Sequence, residues 1–126
     1  MVRAVRAPVV LLGESHDRDD NHRWQMHVAS GLLARHDHMA MGFEMFPAHL
    51  NPMLADWVAG RLEEEAFLEC AEWGWVWGFP TAFYMPLIHF CRDHGVEMLG
   101  LNCRRALMRE WGRTDGKRCP RTRAEG

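Results

Sequence analysis

The sequence lacks several features that would place a protein in a class at once. Only 4 cysteines occur among the 126 residues, and none of them forms a Cys-x-x-Cys pair. This spacing excludes a zinc knuckle or a thioredoxin-like dithiol and favours buried free thiols. No apolar run is long enough to span a membrane or to form the core of a signal peptide, so we expect a cytoplasmic protein.

The charge balance excludes one class of partner. The chain has 15 basic and 17 acidic residues, with a formal net charge of -2. Nucleic acid is therefore not an expected partner, because its binding requires a basic surface that displaces counterions from phosphates. A basic cluster does occur within residues 112–126, but this polar segment has no regular periodicity and is predicted to be a disordered tail.

The order of apolar runs predicts an α/β domain over residues 1–111. Short apolar runs at 9–12, 39–43 and 96–101 are typical of buried parallel strands. Helical periodicity predicts crossover helices at about 19–35, 51–59, 63–72, 81–94 and 104–111. About three strands make a short sheet with an uncovered edge, so the domain is expected to be incomplete or to be completed as a homodimer.

Local patterns predict how these helices begin and which side they bury. Asn51 and Thr81 are predicted helix caps, and Gly95 is a predicted helix end. The buried face of the first long helix is predicted to contain an apolar stripe that consists of Trp24, His27, Val28, Gly31 and Leu32.

Polar side chains follow each predicted strand. In chain order they are Glu14 with His16, then Glu44, then Asn102 with Arg104 and Arg105. Ligands of open parallel sheets bind beyond the carboxyl ends of the strands, so we expect these side chains to share one crevice. Glu14, His16 and Glu44 suit a divalent metal, or a general base that acts on water. The alternative is that the two glutamates cap helices or pair with Arg104.

His22 and Gln25 lie three positions apart on the first long predicted helix. This spacing places them on one face, where they could reach the same crevice as His16. Exposed positions on the helix surface are nevertheless the favoured interpretation for both residues.

An aromatic segment at residues 73–80 has the most unusual local composition in the chain, and it leads to Tyr84, the single tyrosine. Haem is physically compatible with it, because indole rings pack on a porphyrin face, tyrosinate binds ferric iron and arginines pair with propionates. The alternative is a tryptophan-rich corner that closes a small core.

Several motifs, taken together, resemble one known family. They comprise residues 9–17, His22 with Gln25, and residues 42–46, 77–80, 84–87 and 101–104. Their order resembles the ChaN-like haem-binding family over residues 9–110, and that family is similar to the wider Tiki, TraB and erythromycin-esterase group. The resemblance implies an α/β fold and the handling of haem or iron in bacteria.

The resemblance also implies roles for individual residues. Members ligate haem iron through tyrosine, which implies Tyr84 as axial ligand, with Trp75 or Trp77 as a packing face and Arg104 or Arg105 as propionate partners. The wider group implies a metal-dependent peptidase or esterase that uses Glu14, His16 and Glu44. We therefore predict a haem-binding protein of haem or iron uptake, with such a hydrolase as the alternative.

A third interpretation is a truncated product without activity. Family members are usually longer and are often exported or lipid-anchored, whereas this chain shows no export signal and its resemblance fades after Glu110. The chain is then expected to be an N-terminal portion of the family domain. Such a portion should lack a cooperative thermal transition.

Overall fold

The computed structural model of the chain describes residues 2–103. The helix predicted at 104–111, the predicted tail at 112–126 and the predicted propionate partners Arg104 and Arg105 lie outside the described residues. These predictions therefore stay predictions.

Helices and two strands make up the described part of the chain. In order they are α1 (Val2–Val5), α2 (Asp19–Leu33), β1 (Ala40–Pro47), a 3-10 turn (Ala48–Leu50), α3 (Asn51–Val58), α4 (Glu64–Cys70), α5 (Trp73–Val76), α6 (Thr81–His94) and β2 (Glu97–Asn102). β1 and β2 pair in parallel, with Ala40 opposite Glu97. The predicted α/β class is confirmed. Within residues 2–103, no helix has the length and apolar character needed to cross a membrane.

The sheet has two strands in the described range, and the prediction of a third strand at residues 9–12 was wrong. This run has no regular secondary structure, and Val9 and Leu11 are 71% and 89% exposed. A strand requires a neighbour for its backbone N–H and C=O groups, and β1 pairs only with β2 here. Apolar composition alone does not supply that neighbour.

Gly100 of β2 lies directly against the backbone at the end of β1. A Cβ atom at this position would lie 2.6 Å from the carbonyl oxygen of Pro47 and 2.7 Å from that of Phe46. The backbone N–H of Gly100 donates to Asn51 Oδ1 at 2.8 Å. The predicted helix-capping role of Asn51 was therefore wrong, because its side chain ties α3 to β2.

The helices predicted within residues 2–103 are confirmed with small changes of boundary. α6 begins at Thr81 itself, and Thr81 makes no side-chain cap, so that predicted cap was also wrong. The same helix ends at Gly95, whose φ of 64° is the left-handed value expected of a glycine end. α5, within the aromatic segment, was not predicted, because its 4 residues are too few for a periodicity to show.

The core lies between the sheet and helices α3 to α6. Trp57 is fully buried, its Nε1 donates to the carbonyl of Ile88 at 3.0 Å, and the guanidinium of Arg92 lies 4.5 Å from its ring centroid. These contacts hold α3 against α6. They fix the position of the helix that carries Tyr84.

The buried face of α2 shares only Val28 with the predicted apolar stripe. Its buried residues are His22, Gln25, Val28 and Ala29, whereas Trp24 and His27 are exposed. Buried polar side chains are stable only where they find hydrogen-bond partners. The partners of His22 and Gln25 form the candidate site.

Candidate functional site

Glu14 lies at the centre of a polar cluster. Its Oε1 contacts His16 Nδ1 at 2.7 Å and accepts a hydrogen bond from the Tyr84 hydroxyl at 2.9 Å. Its Oε2 accepts a hydrogen bond from Gln25 Nε2 at 2.7 Å and lies 3.4 Å from His22 Nδ1. We call these five residues the Glu14 cluster.

Three segments of the chain place this cluster. Glu14 and His16 lie in the loop before α2, His22 and Gln25 share the buried face of α2, and Tyr84 lies near the start of α6. α2 and α6 pack together, which brings the helix residues to the loop carboxylate. The cluster is thus a product of the tertiary fold.

The carboxyl group of Glu14 is ionised at neutral pH. Burial raises the pKa of Glu14. The hydrogen bonds with His16, Gln25 and Tyr84 and the proximity of His22 together lower this pKa by more than burial raises it. The net pKa lies below the ordinary value of 4.5. Glu14 therefore acts only as a hydrogen-bond acceptor.

The phenol of Tyr84 is buried and neutral. Its side chain is 3% exposed. Burial is the largest cause that raises the pKa of Tyr84 well above its ordinary value of 10.0, and the negative charges of Glu14 and Glu44 raise it further, against an opposing effect of Trp77. Loss of the phenol proton is therefore disfavoured in this fold.

Aromatic rings border the cluster beside His16. The imidazole centroid of His16 lies 4.6 Å from the ring of Trp77 and 5.1 Å from that of Phe79. On the other side, His22 stacks on Phe83 at 5.5 Å. Nε1 of Trp77 is buried and has no hydrogen-bond partner of good geometry within residues 2–103. His16 therefore contacts the carboxylate of Glu14 and packs beside the aromatic rings of Trp77 and Phe79.

Three other predicted site residues, Glu44, Asn102 and Trp75, are not members of the Glu14 cluster. Glu44 is exposed on β1, and only its charge acts on Tyr84. Asn102, at the end of β2, accepts a hydrogen bond from the backbone N–H of Cys103. In the described part of the chain, no hydrogen bond or ion pair joins Glu44 or Asn102 to the cluster. Trp75 is exposed on α5.

The sequence left helix capping and pairing with Arg104 as alternative roles for Glu14 and Glu44. Glu44 lies inside a strand and α2 has no side-chain cap, so neither Glu44 nor Glu14 caps a helix. Pairing with Arg104 lies outside the described residues. Within residues 2–103, no group of three or more His, Cys, Asp or Glu side chains is arranged to hold a metal ion. Metal binding by Glu14, His16 and Glu44 stays a prediction.

The exposed positions expected for His22 and Gln25 were wrong. Both are buried and contact Glu14. Two features of the sequence could have indicated this contact. His22 and Gln25 share one face of α2, and α2 directly follows the loop that contains Glu14 and His16. Their partner Tyr84 comes from a distant segment, so the spacing alone did not decide their position.

Two clefts in the described range lie away from the cluster. The larger, of about 450 Å³, surrounds the beginnings of β1 and β2. The second, of about 350 Å³, lies beside α3 and β2. Tryptophan, tyrosine and phenylalanine line neither of these two clefts.

A model of the family described as haem-binding uptake, Tiki superfamily, ChaN matches residues 1–125. The chain belongs to this family. The resemblance identified over residues 9–110 is thereby confirmed. The expectation that it fades after Glu110 was wrong, because the match extends to residue 125. No curated protein and no solved structure matches the chain.

The donor set of this ChaN-family chain fits a haem. Haem iron in proteins takes a histidine or tyrosine ligand, and porphyrin packs against aromatic rings. The Glu14 cluster holds both ligand types, in His16 and Tyr84, and Trp77 and Phe79 lie beside His16.

Proposed function

We propose that this chain binds haem at the Glu14 cluster and serves in haem uptake or handling. The observation that carries the proposal is the position of His16, which is 34% exposed between the carboxylate of Glu14 and the rings of Trp77 and Phe79. A ligand atom beside aromatic surface is the basic requirement of a haem site.

Different residues are proposed to make different contacts with the haem. Trp77 and Phe79 beside His16 supply packing surface, and the exposed Trp75 stays a proposed packing residue. His16 and Tyr84 are the candidate axial ligands, and Arg104 and Arg105 are proposed propionate partners. Bound haem supplies an iron with open coordination positions, while Glu14 and the helices α2 and α6 orient the side chains around it.

A haemin titration of the purified chain, followed by absorbance, tests the proposal. We expect saturable one-site binding that Trp77→Leu weakens by about tenfold, which corresponds to about 1.4 kcal/mol. Trp24→Leu is the matched control, because Trp24 is an exposed tryptophan outside the cluster. Circular dichroism confirms that each variant is folded. Absence of saturable binding by the folded wild type contradicts the proposal.

A metal-dependent hydrolase is the second candidate. The 2.7 Å contact between Glu14 and His16 favours it, because a carboxylate that orients an imidazole is a recurrent general-base arrangement. Glu44 lies near enough for its charge to act on Tyr84. Metal analysis of the purified chain and ester and peptide hydrolysis assays test this candidate. A divalent metal with hydrolysis that His16→Ala abolishes supports it, and absence of both contradicts it.

A further inference from the structure

The hydrogen bonds of Glu14 decide which nitrogen of His16 is free. The amide nitrogen of Gln25 donates to this carboxylate, and the Tyr84 hydroxyl also donates to it. Glu14 is therefore an acceptor, and the 2.7 Å contact with His16 Nδ1 places the imidazole proton on Nδ1. A neutral imidazole with this tautomer has its lone pair on Nε2.

The free nitrogen belongs to a partly exposed side chain. His16 is 34% exposed, and its Nε2 has no hydrogen-bond partner within residues 2–103. His22, in contrast, is buried, with Nδ1 near Glu14 and Nε2 at 3.3 Å from the carbonyl of His16. Within the cluster, His16 alone offers an exposed imidazole.

Tyr84 is not accessible in the same way. Its side chain is buried, and its hydroxyl proton is donated to Glu14. Ligation of iron would require the phenol to lose this proton, leave Glu14 and reach the surface. Ligation would therefore break a buried hydrogen bond and leave Glu14 without one of its donors.

We propose that Nε2 of His16 is the axial ligand of the haem iron and that Glu14 is its positioning residue. This inference rests on the proposed haem binding and names its ligand. A carboxylate bonded to the other ring nitrogen fixes the orientation of a ligating histidine and makes it a stronger donor to the metal. Glu14 thereby acts on the iron only through His16.

The test compares haemin complexes of the wild type, His16→Gln, Tyr84→Phe and Glu14→Gln. Resonance Raman and electron paramagnetic resonance spectra distinguish iron–imidazole from iron–phenolate ligation. His16→Gln keeps an N–H donor for Glu14 while it removes the imidazole. We expect it to lose the imidazole signature, whereas Tyr84→Phe retains that signature even where its affinity changes.

Haem affinity and the midpoint potential of the iron test Glu14 as the positioning residue of His16. Glu14→Gln is expected to weaken haem binding by about 10- to 100-fold and to raise the ferric/ferrous midpoint potential, because the imidazole becomes a weaker donor. His27→Ala is the control for ligation by other histidines, since His27 is exposed on α2 outside the cluster. It should have the spectrum and potential of the wild type.

Two results overturn the inference. One is a phenolate signature in the wild type that Tyr84→Phe removes, and the other is an imidazole signature that survives in folded His16→Gln. A wild type that binds no haemin at all overturns the proposed function and this inference with it. That result differs from either of the other two, because they require a haem complex.

Discussion

The hydroxyl of Tyr84 donates a 2.9 Å hydrogen bond to Glu14, and this contact joins α6 to a loop 70 residues earlier in the chain. The same carboxylate accepts a hydrogen bond from Gln25 on α2. One side chain thus connects a loop and two helices. Its removal should affect the stability of the fold as well as any ligand.

Glu14→Gln is expected to lower the free energy of unfolding by about 1 to 3 kcal/mol. An amide has a single acceptor oxygen, so it cannot receive all the donors that converge on the carboxylate. Urea unfolding followed by tryptophan fluorescence measures the loss. Glu69→Gln, at an exposed position of α4, is the control and should change stability by less than about 0.5 kcal/mol. Equal urea midpoints for the two variants would contradict the prediction.

The stability contributed by Glu14 should depend on acid pH. Its pKa is lower in the folded than in the unfolded state, so the unfolded chain binds more protons as the pH falls. The contribution is therefore present above the ordinary value of 4.5 and is lost as the pH falls through the folded pKa. The difference in the free energy of unfolding between wild type and Glu14→Gln should become smaller as the pH is lowered. A difference that stays constant or widens would show that the carboxylate is not stabilised by its donors.

Tyr84 should ionise only when the chain unfolds. Its pKa is raised in the folded state, so the unfolded state loses the proton first, and stability falls as the pH rises above the ordinary value of 10.0. Tyr84 is the single tyrosine, so phenolate absorbance reports this residue alone. We expect the phenolate signal to appear together with the loss of circular dichroism. A phenolate that forms near pH 10 in a folded chain would refute the buried, neutral phenol.

Much of the fold could be predicted from short-range patterns. Periodicity identified α2 and α6, and the apolar runs identified β1 and β2, because these signals lie within one segment. The run at residues 9–12 carried the same apolar signal and forms no strand. Whether such a run pairs depends on a neighbour, and its own residues contain no information about that neighbour.

The site was predictable only in part for the same reason. Glu14 and His16 stood out because polar residues followed an apolar run. His22 and Gln25 were assigned to the surface, since burial of polar side chains depends on partners that only the packing of α2 on α6 provides. Tyr84 stood out as a lone tyrosine, but its bond to Glu14 spans 70 residues and no sequence pattern encodes it.

Gly100→Ala should destabilise the sheet by about 1 to 3 kcal/mol. The added Cβ would lie 2.6 Å from a backbone oxygen of β1, closer than carbon and oxygen atoms can pack, and the two strands would have to separate. Thermal or urea unfolding measures the effect. Gly74→Ala is the matched control, because a Cβ at Gly74 meets nothing within 4 Å and alanine favours the helical backbone of α5. A Gly100→Ala variant as stable as Gly74→Ala would mean that β1 and β2 do not approach as closely as described, and the position of Asn51 against β2 would need revision with it.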